Sequence, residues 1–600
     1  MGRQEFLKNQ ILTAAGRKQA PLVLKSAQVL NVFTEELETA DVAVSDGYIV
    51  GIGTYDGVCE VDLSGKIICP GFLDGHIHLE SSMVSPEEFA RAVVPHGTTG
   101  VMTDPHEIAN VAGTEGIDYM LEVTRDLPLD VWFMIPSCVP ATGLDESGAV
   151  LLAEQLRSYY QRERILGLAE LMNAYGTVQA DPEILDKVRD AWDNKKVIDG
   201  HAPGIGAKDL NAYVTAGVGS DHECSSAEEA LEKLRRGQWI MIREGTAAKN
   251  LKALMPLCRE PYYHRCMFVT DDKHPGDLVR YGHMDGIIRE AIAWGADPIA
   301  AIKMATLHTA QYFGLKDRGA VAPGFRADLV VLSDLEQVKV FQVYKSGILA
   351  AENGRMKEPY PVEPKPDGTA EDLEKRYPRV YRSFQMRKVR ERDFALQPMD
   401  SRGTRIRAIC LTPHELLTEK AEFAWSEHAG YAPGVDVSQD LIKMAVMERH
   451  HGTGHIGIGF LNGYGLKSGA IATSVAHDSH NLIVAGVNDA DMVLAANTVR
   501  SCRGGLAVVK DGQVLGSLAL PIGGLMTQEP VQIVDEKLEE LKHLARTLGI
   551  GESVDPFMTL AFASLPVIPK LRLNTLGLID VEKQEIIPVV YEQKCKEENI

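Results

Sequence analysis

Short apolar runs alternate with longer segments of helical pattern through the middle of the chain. Runs rich in Val, Ile and Leu recur from residue 67 onward, each followed by a stretch with helical periodicity. This alternation is typical of parallel βαβ units. The runs predict eight strands, at residues 67–78, 99–103, 131–137, 165–171, 196–201, 218–222, 239–243 and 267–270, and the last barrel helix is predicted at 297–313. Eight such units predict a (β/α)8 barrel, whose active site lies where the C-terminal ends of the strands meet.

The segments that flank the barrel have other patterns. Brief Val- and Ile-rich runs separated by turns predict one small β domain, assembled from both sides of the barrel. A Pro-, Lys-, Glu- and Arg-rich stretch predicts a partly extended linker, after which strands and helices resume. The predicted domains are a helical extension (1–20), the small β domain (21–70 and 319–355), the barrel (71–318), the linker (356–392) and a C-terminal α/β domain (393–600). The predicted fold class is α/β.

Composition narrows the class of protein. A hydrophobic content of 45% and a charged content of 24% are those of an ordinary globular protein. The net charge of −21 argues against binding to nucleic acid or to an anionic membrane and favours a small uncharged or cationic ligand. The nine cysteines are scattered, and neither a membrane-spanning apolar run nor a cleaved-signal pattern is visible. We expect a cytoplasmic protein.

Two histidines stand two residues apart at the end of the first predicted barrel strand. His76 and His78 follow an apolar run, and on a strand such residues point to the same side. Side by side, two imidazoles can bind one divalent ion. A pair of buried structural histidines would have the same spacing. The metal-site interpretation therefore needs further ligands at the ends of other strands.

Further ligand-type residues do occur at strand ends. Glu170 closes the fourth predicted strand, His201 the fifth, His222 the sixth, and Asp271 follows the eighth. With His76 and His78 they make six nitrogen and oxygen donors, a set that suits two divalent ions bridged by Glu170. Each residue alone could be an isolated polar residue. Their joint occurrence at five strand ends favours a binuclear metal site.

These residues and the phrases around them resemble the amidohydrolase superfamily. The resemblance covers about residues 21–350 and includes Pro-Gly-Phe-x-Asp-x-His-x-His from Pro70 and Pro-Gly-x-x-Ala-Asp-Leu-Val from Pro323. The superfamily carries a carboxylated lysine or a glutamate on strand 4, where this chain has Glu170. Within it the chain resembles the bacterial-type adenine deaminases, in the phrases that begin at Gly71, Thr103, Val269 and Ser474.

That resemblance implies an activity and a cofactor. It implies hydrolysis of adenine to hypoxanthine and ammonia in purine salvage, with two divalent ions, manganese or iron(II), bound per chain. The metal ligands would be His76, His78, Glu170, His201, His222 and Asp271. We also expect a homo-oligomer, such as a dimer.

The chemistry of deamination agrees with these residues. Replacement of an aromatic amino group needs hydroxide at neutral pH, which water shared by two metal ions can supply. Asp271 is placed to carry the proton to N1 and to the leaving amine. His106, Glu107, Arg243 and Glu244 follow strands 2 and 7 and could hold the purine edge or assist protonation. Ordinary capping or ion pairing would explain these four residues equally well.

Two histidine-rich segments lie outside the predicted barrel. His477 and His480 stand among turn-forming residues, and we expect their loop to reach the substrate pocket, with a surface turn as the alternative. The segment from His450 to His455 is glycine-containing and predicts a structural turn.

Two other functions compete with deamination. One is a superfamily hydrolase that opens a cyclic amide or removes an acyl group. The other is a barrel scaffold without catalysis, which would have no reason to keep all six ligands. Fold alone does not decide among them.

Overall fold

The computed structural model describes residues 2–246, 248–358, 370–396, 404–412 and 418–592. Parts of the predicted linker and C-terminal domain, at 359–369, 397–403, 413–417 and 593–600, lie outside these ranges. A helix, α1 (Arg3–Ala14), precedes the first strands and is shorter than the predicted extension. It is followed by β1 (Ala20–Asn31), β2 (Glu36–Ser45), β3 (Tyr48–Gly53), β4 (Gly57–Asp62) and β5 (Ile67–Pro70). Across the described residues, no helix combines the length and the apolar character needed to cross a bilayer.

The barrel follows directly. Its strands are β6 (Phe72–Ile77), β7 (Thr98–Thr103), β8 (Asp130–Ile135), β9 (Ile165–Leu171), β10 (Val197–Gly200), β11 (Ser220–Asp221), β12 (Trp239–Arg243) and β13 (Cys266–Val269). Its helices are α2 (Pro86–Val93), α3 (His106–Ala112), α4 (Thr114–Val123), α5 (Ala153–Leu156), α6 (Ala174–Val178), α7 (Pro182–Asp193), α8 (Ala207–Thr215), α9 (Ala227–Leu234), α10 (Leu251–Leu254), α11 (Pro275–Tyr281), α12 (Met284–Ala293), α13 (Pro298–Met304) and α14 (Leu307–Tyr312).

Parallel pairing closes these strands into a ring. The strands β6 to β10 pair in sequence order, as do β11 to β13. The amide of Gly219 donates to the Ile198 carbonyl at 2.8 Å between β10 and β11, and the amide of Asp271 donates to the His76 carbonyl at 2.9 Å between β13 and β6. Methionines from several strands fill the interior, and Tyr312 and Phe313 pack against them. The predicted barrel is confirmed.

Two predicted elements are divided in the structure, each at a long-range contact. The predicted strand 67–78 is β5 plus β6, because the amide of Gly71 donates to the Asp328 carbonyl at 2.8 Å. A Cβ atom at Gly71 would lie 2.2 Å from the Thr99 hydroxyl oxygen, so a glycine is required there. The predicted last helix, 297–313, breaks between α13 and α14, where Ala305 accepts a hydrogen bond from the Leu73 amide at 2.7 Å.

The small β sheet is built from both sides of the barrel. After the barrel come β14 (Leu329–Asp334), β15 (Lys339–Lys345), β16 (Ile348–Glu352) and β17 (Arg355–Met356). The strand order is β17-β16-β15-β14-β5-β1-β2-β3, with β4 paired to β1. Lys345 is buried and contacts Asp130 at 2.8 Å and Asp328 at 2.7 Å, which ties this sheet to the N-terminal end of β8.

The described part of the predicted linker is not extended throughout. It forms α15 (Ala370–Arg376) and α16 (Pro378–Tyr381), and Val380 is fully buried. The rings of Tyr377 and Tyr381 contact Tyr119 of α4, at centroid distances of 5.5 and 5.9 Å. Aromatic packing against the barrel therefore replaces the extended conformation that the Pro- and Lys-rich composition predicts. The domain boundaries themselves stay predictions.

The C-terminal part is a mixed α/β unit, as predicted. Its elements are β18 (Thr404–Leu411), β19 (Thr418–Ala424), β20 (Leu441–Met447), β21 (Ile456–Asn462), β22 (Ala470–Thr473), β23 (Leu482–Gly486), α17 (Asp489–Ser501), β24 (Gly505–Lys510), β25 (Gln513–Ala519), α18 (Val531–Thr547), α19 (Met558–Ala563), β26 (Leu571–Asn574), β27 (Gly577–Asp580), β28 (Glu585–Ile587) and β29 (Val590–Glu592). The main sheet has the order β19-β18-β21-β20-β23-β22-β24-β25, with β29 on β18.

Candidate active site

The six ligand-type side chains predicted from the sequence meet at the C-terminal mouth of the barrel. They are His76 and His78 at the end of β6, Glu170 in β9, His201 after β10, His222 after β11 and Asp271 after β13. All are buried except His201, which keeps 25% of its side chain exposed. The apolar run before each residue forms the barrel wall, so that the polar residue at its end reaches the shared mouth.

Glu170 is the centre of this group. Its Oε2 lies 2.9 Å from Nδ1 of His201 and 3.1 Å from Nε2 of His222. Its Oε1 lies 3.5 Å from Nε2 of His78. Asp271 completes the set, with Oδ1 at 3.3 Å from the same His78 nitrogen and at 3.7 Å from Nε2 of His76. One carboxylate thus stands between two groups of imidazoles, the arrangement that a bridging ligand requires.

The ring nitrogens of these histidines fit divalent metal ions. Nδ1–H of His78 donates to the Asp104 carbonyl at 3.0 Å, which leaves the Nε2 lone pair for a metal. Nε2 of His76 is buried and has no hydrogen-bond partner in the described part of the chain. Nδ1 of His201 faces Nε2 of His222 at 3.3 Å. Imidazole nitrogens and carboxylate oxygens grouped this closely are typical ligands of borderline divalent ions.

The protonation preferences of Glu170 and His76 suit metal binding, whereas the neighbouring carboxylates, when no ion is bound, raise the pKa of His78, His201 and His222. Burial alone would raise the pKa of Glu170, but the hydrogen bonds from His201 and His222 hold it well below its usual value. Burial also lowers the pKa of His76, the histidine with the unpartnered nitrogen. An ionised carboxylate and a neutral imidazole are the forms that bind a metal.

Asp271 has a second partner. Its Oδ2 accepts a hydrogen bond from Nη1 of Arg243 at 2.6 Å, and Nη2 of the same guanidinium donates to Glu223 at 2.8 Å. Burial would raise the pKa of Asp271, but Arg243 helps to hold it well below its usual value. Glu244, the other residue predicted after β12, forms an ion pair with Lys249 at 3.0 Å. In the structure Arg243 therefore orients Asp271, and any contact between Arg243 and a substrate stays a prediction.

His106 and Glu107 stand beside the metal-ligand group, at the start of α3. Nδ1 of His106 lies 2.9 Å from Oδ2 of Asp104 and 3.5 Å from Oε1 of Glu170. Its Nε2 lies 3.5 Å from Oε1 of Glu107. Burial would lower the pKa of His106, but Asp104 and Glu107 raise it well above the usual value. The site therefore has a charged imidazole next to the bridging carboxylate.

A loop of the C-terminal domain covers this edge of the mouth. Within this cap loop, residues 476–481, His477 donates Nδ1–H to Oε1 of Glu107 at 2.6 Å, and Nε2 of His480 contacts Oε2 of the same carboxylate. The Ala476 amide donates to Nδ1 of His480 at 3.1 Å, which places the ring proton on Nε2. His477 also stacks on Phe562, at 5.0 Å between centroids. Both predicted histidines thus reach the barrel mouth through Glu107.

The other histidine-rich segment makes structural contacts. Nε2 of His450 donates to the Ser479 carbonyl of the cap loop at 2.7 Å. Nε2 of His451 donates to the Ser147 carbonyl at 3.0 Å, and Nδ1 of His455 lies 2.8 Å from Glu146. The contacts of His451 and His455 hold the C-terminal domain to the loop after β8, and that of His450 supports the cap loop, in agreement with the predicted structural role.

Three further carboxylates belong to the site and were not predicted. Asp104 orients His106, Glu223 lies 3.3 Å from Nε2 of His222, and Asp478 of the cap loop has Oδ1 4.0 Å from Nε2 of His106. Asp104 directly follows β7, the same strand-end position that identified the metal ligands. That signal could have found it. Glu223 stands two residues after β11, as Asp271 does after β13, so the same signal could have found it. The role of Asp478 depends on contacts between distant segments and leaves no such pattern.

Known proteins with similar sequences were compared with this chain. The family model described as "Amidohydrolase family" matches residues 67–350, and the model described as "Adenine deaminase C-terminal domain" matches residues 415–585. Adenine deaminase 2 of Carboxydothermus hydrogenoformans is 48% identical over 584 residues, which cover 97% of this chain and 99% of that protein. The chain belongs to the adenine deaminase family. The resemblance stated from the sequence motifs is thereby confirmed.

Other adenine deaminases align just as completely. The adenine deaminase of Bacillus pumilus is 44% identical over 586 residues, covering 98% of this chain and 99% of that protein. That of Desulfatibacillum aliphaticivorans is 45% identical over 578 residues, covering 96% and 98%. The likeness to adenine deaminases therefore extends over the barrel, the small sheet and the C-terminal domain together.

Proposed function

We propose that the protein is an adenine aminohydrolase, which converts adenine and water to hypoxanthine and ammonia. Its family membership supports this function, and the site supplies the donors that the reaction needs. The observation that carries the proposal is the position of Glu170 between His78 on one side and the pair His201 and His222 on the other. This arrangement, with the Asp271 carboxylate beside it to carry protons, supports hydrolysis.

The metal ligands follow from the contacts. We propose that His76, His78 and Asp271 hold one divalent ion, that His201 and His222 hold the other, and that Glu170 is shared. When bound, two such ions lower the pKa of water so that hydroxide is available near neutral pH. The chain itself orients the ligands, because the Asp104 carbonyl fixes the His78 ring.

Asp271 is proposed to move the proton. Attack on C6 places negative charge on the purine ring nitrogens, and N1 and then the amine must each be protonated. Asp271 takes one proton from the attacking water and gives it to N1, and then moves the remaining proton from the new C6 hydroxyl to the amino group, which leaves as ammonia. Arg243 holds one oxygen of Asp271 at 2.6 Å, which leaves the other directed at the ligand group.

His106 and Glu107 are proposed to hold the purine edge, together with His477 and His480. A charged His106 is a hydrogen-bond donor that can stabilise negative charge on a ring nitrogen. Glu107 is fixed by both cap-loop histidines. The cap loop excludes water from the reacting atoms, which strengthens these interactions.

Finer features of the protein are also proposed. The family resemblance suggests manganese or iron(II) as the two ions. We further propose a homo-oligomer, such as a dimer, in the cytoplasm. Metal analysis of the protein as isolated and light scattering during size-exclusion chromatography test the first two features.

Product analysis tests the activity itself. Protein stripped by a chelator is reconstituted with manganese or iron(II) and given adenine, other aminopurines, cyclic amides and N-acyl compounds. Release of ammonia from adenine with an intact purine ring supports the proposal. A free carboxylate from a cyclic amide or an acyl compound, without ammonia from any purine, would overturn it.

A further inference from the structure

One carboxylate of the C-terminal domain enters the site with an oxygen that has no hydrogen-bond donor among the described residues. Asp478 is 5% exposed, and its Oδ1 lies 4.0 Å from Nε2 of His106, beyond hydrogen-bond distance. Its Oδ2 is buried and has no hydrogen-bond partner within the described ranges. A buried carboxylate oxygen without a donor costs free energy. In a binding site, a donor on the ligand removes that cost.

The cap loop holds Asp478 in this position from both sides. On one side, His477 is bonded to Glu107 and stacked on Phe562. On the other side, the Ser479 carbonyl accepts a hydrogen bond from His450 at 2.7 Å. Since both neighbours are anchored, the Asp478 side chain stays directed at the barrel mouth.

The chemical state of Asp478 restricts what it can bind. Burial raises the pKa of this carboxyl to about 6, although the neighbouring His106 opposes the shift. At neutral pH the group is mostly ionised, and an ionised carboxylate only accepts hydrogen bonds. A ligand must therefore present an N–H or O–H group to it.

Adenine has two kinds of N–H group. The amino group is bonded to C6, the reacting carbon, which must lie against the metal-ligand group on the barrel strands. The N–H of the imidazole ring stands at the opposite end of the purine, so in this orientation it would face the domain that covers the mouth. We propose that Asp478 accepts a hydrogen bond from the imidazole-ring N–H of the purine, and that it thereby selects free bases over purines substituted at N9. This inference rests on the proposed function.

The size of the effect follows from the chemistry of the contact. A site built to bond a substrate N–H can reject the analogue that lacks it by roughly 10⁴-fold, because its own buried group is left unpaired. Loss of the same contact in the enzyme should weaken adenine binding by about 10- to 100-fold. Turnover of bound adenine should change little, because the contact is made before and during the reaction alike.

The test compares adenine with 9-methyladenine in the metal-loaded wild type and in Asp478→Asn and Asp478→Ala. We expect KM for adenine to rise about 10- to 100-fold in both variants, with kcat within about threefold of the wild type. The preference for adenine over 9-methyladenine should shrink by at least about tenfold. An unchanged preference would overturn the proposal. A fall in kcat with unchanged KM would also overturn it, since Asp478 would then move a proton.

Two controls separate this result from misfolding and from failure of the proposed function. Asp145→Asn alters a half-buried carboxyl near the cap loop, one that already has a partner in Asn574 at 3.2 Å, and should leave the preference unchanged. Calorimetric binding of adenine and 9-methyladenine to wild type and variants gives the same ratio without turnover. Absence of ammonia from the wild type rejects the function, whereas an unchanged binding ratio rejects only the role of Asp478.

Discussion

Two buried clusters at the barrel mouth contain nearly the same residue types but differ in the hydrogen bonds that their ring nitrogens make. One surrounds Glu170 with His78, His201 and His222, and the other surrounds Glu107 with His477 and His480. In both, imidazoles contact both oxygens of one buried carboxylate. Either group, judged by residue type and proximity, could hold a metal ion.

The difference lies in which nitrogens have hydrogen-bond partners. In the Glu107 cluster, His480 receives a hydrogen bond at Nδ1 and gives one at Nε2, and His477 donates to the carboxylate. Beside the Glu170 cluster, Nε2 of His76 has no partner among the described residues, and within the cluster Nδ1 of His201 faces Nε2 of His222. The satisfied hydrogen bonds indicate that the Glu107 cluster is a clamp, a set of contacts that holds the cap loop to the barrel. Ring nitrogens without hydrogen-bond partners indicate metal ligands.

The largest effect is expected from the bridging carboxylate. Glu170→Gln removes the negative charge shared by both ions, so metal content should fall to about one ion or less per chain, with loss of activity. Metal analysis and ammonia release measure this. Glu244→Gln is the matched control, because that carboxylate pairs with Lys249 instead. Two tightly held ions in the Glu170 variant would contradict its bridging role.

The next effect concerns the proton carrier within the same cluster. Asp271→Asn keeps the shape of the side chain but cannot accept a proton, so turnover should fall by roughly 10²- to 10⁴-fold. A pH profile of kcat on metal-loaded protein measures it. If the variant turned over adenine like the wild type at every pH, another group would have to move the proton.

Disrupting the Glu107 cluster should have a smaller effect, and the effect should be on KM or turnover and not on metal binding. Replacing His477 and His480 together by Ala leaves Glu107 buried without two hydrogen bonds, and we expect KM to rise or turnover to fall by about 10- to 100-fold. Both ions should stay bound. The double variant His451→Ala and His455→Ala, on the neighbouring turn, should have near-normal kinetics.

Either of two results for the variant that lacks His477 and His480 would contradict the proposed difference between the two clusters. Unchanged kinetics would mean that the cap loop is a surface turn. Loss of metal would mean that the clamp histidines are ligands, because only the Glu170 cluster is assigned to the ions.

A third charged cluster, at the opposite end of the barrel, should leave turnover unchanged. Lys345→Met removes one of the two cations that pair with Asp130 and with the buried Asp328, and Arg318 still contacts these carboxylates at 2.9 and 3.1 Å. We expect the free energy of unfolding to fall by about 1–3 kcal/mol. Urea unfolding and ammonia release, measured together, test this. Lys357→Met, at an exposed ion pair, should change stability by less than about 0.5 kcal/mol. A lower kcat in the Lys345 variant would show that the two ends of the barrel are coupled.

The sequence predicted those features of the fold and of the site that depend on local sequence pattern. Apolar runs located the barrel strands, and ligand residues at their ends, such as Glu170 and His222, could be recognised because parallel strands all end at one mouth. The division of the first predicted strand could not be foreseen, since it depends on a hydrogen bond from Gly71 to Asp328. The position of Asp478 likewise depends on packing between two domains, to which no periodicity corresponds.

The small sheet stays incomplete during much of protein synthesis, because the ribosome releases the chain from its N-terminus. Its central pair joins β5, made before the barrel, to β14, made after it, with Ile68 opposite Val331. Until β14 emerges, one edge of β5 is open, and an open strand edge invites pairing with another nascent chain. A chain whose translation stops within the barrel therefore tends to aggregate. The small sheet at the base of the barrel is completed only after the segment that follows the barrel has been made.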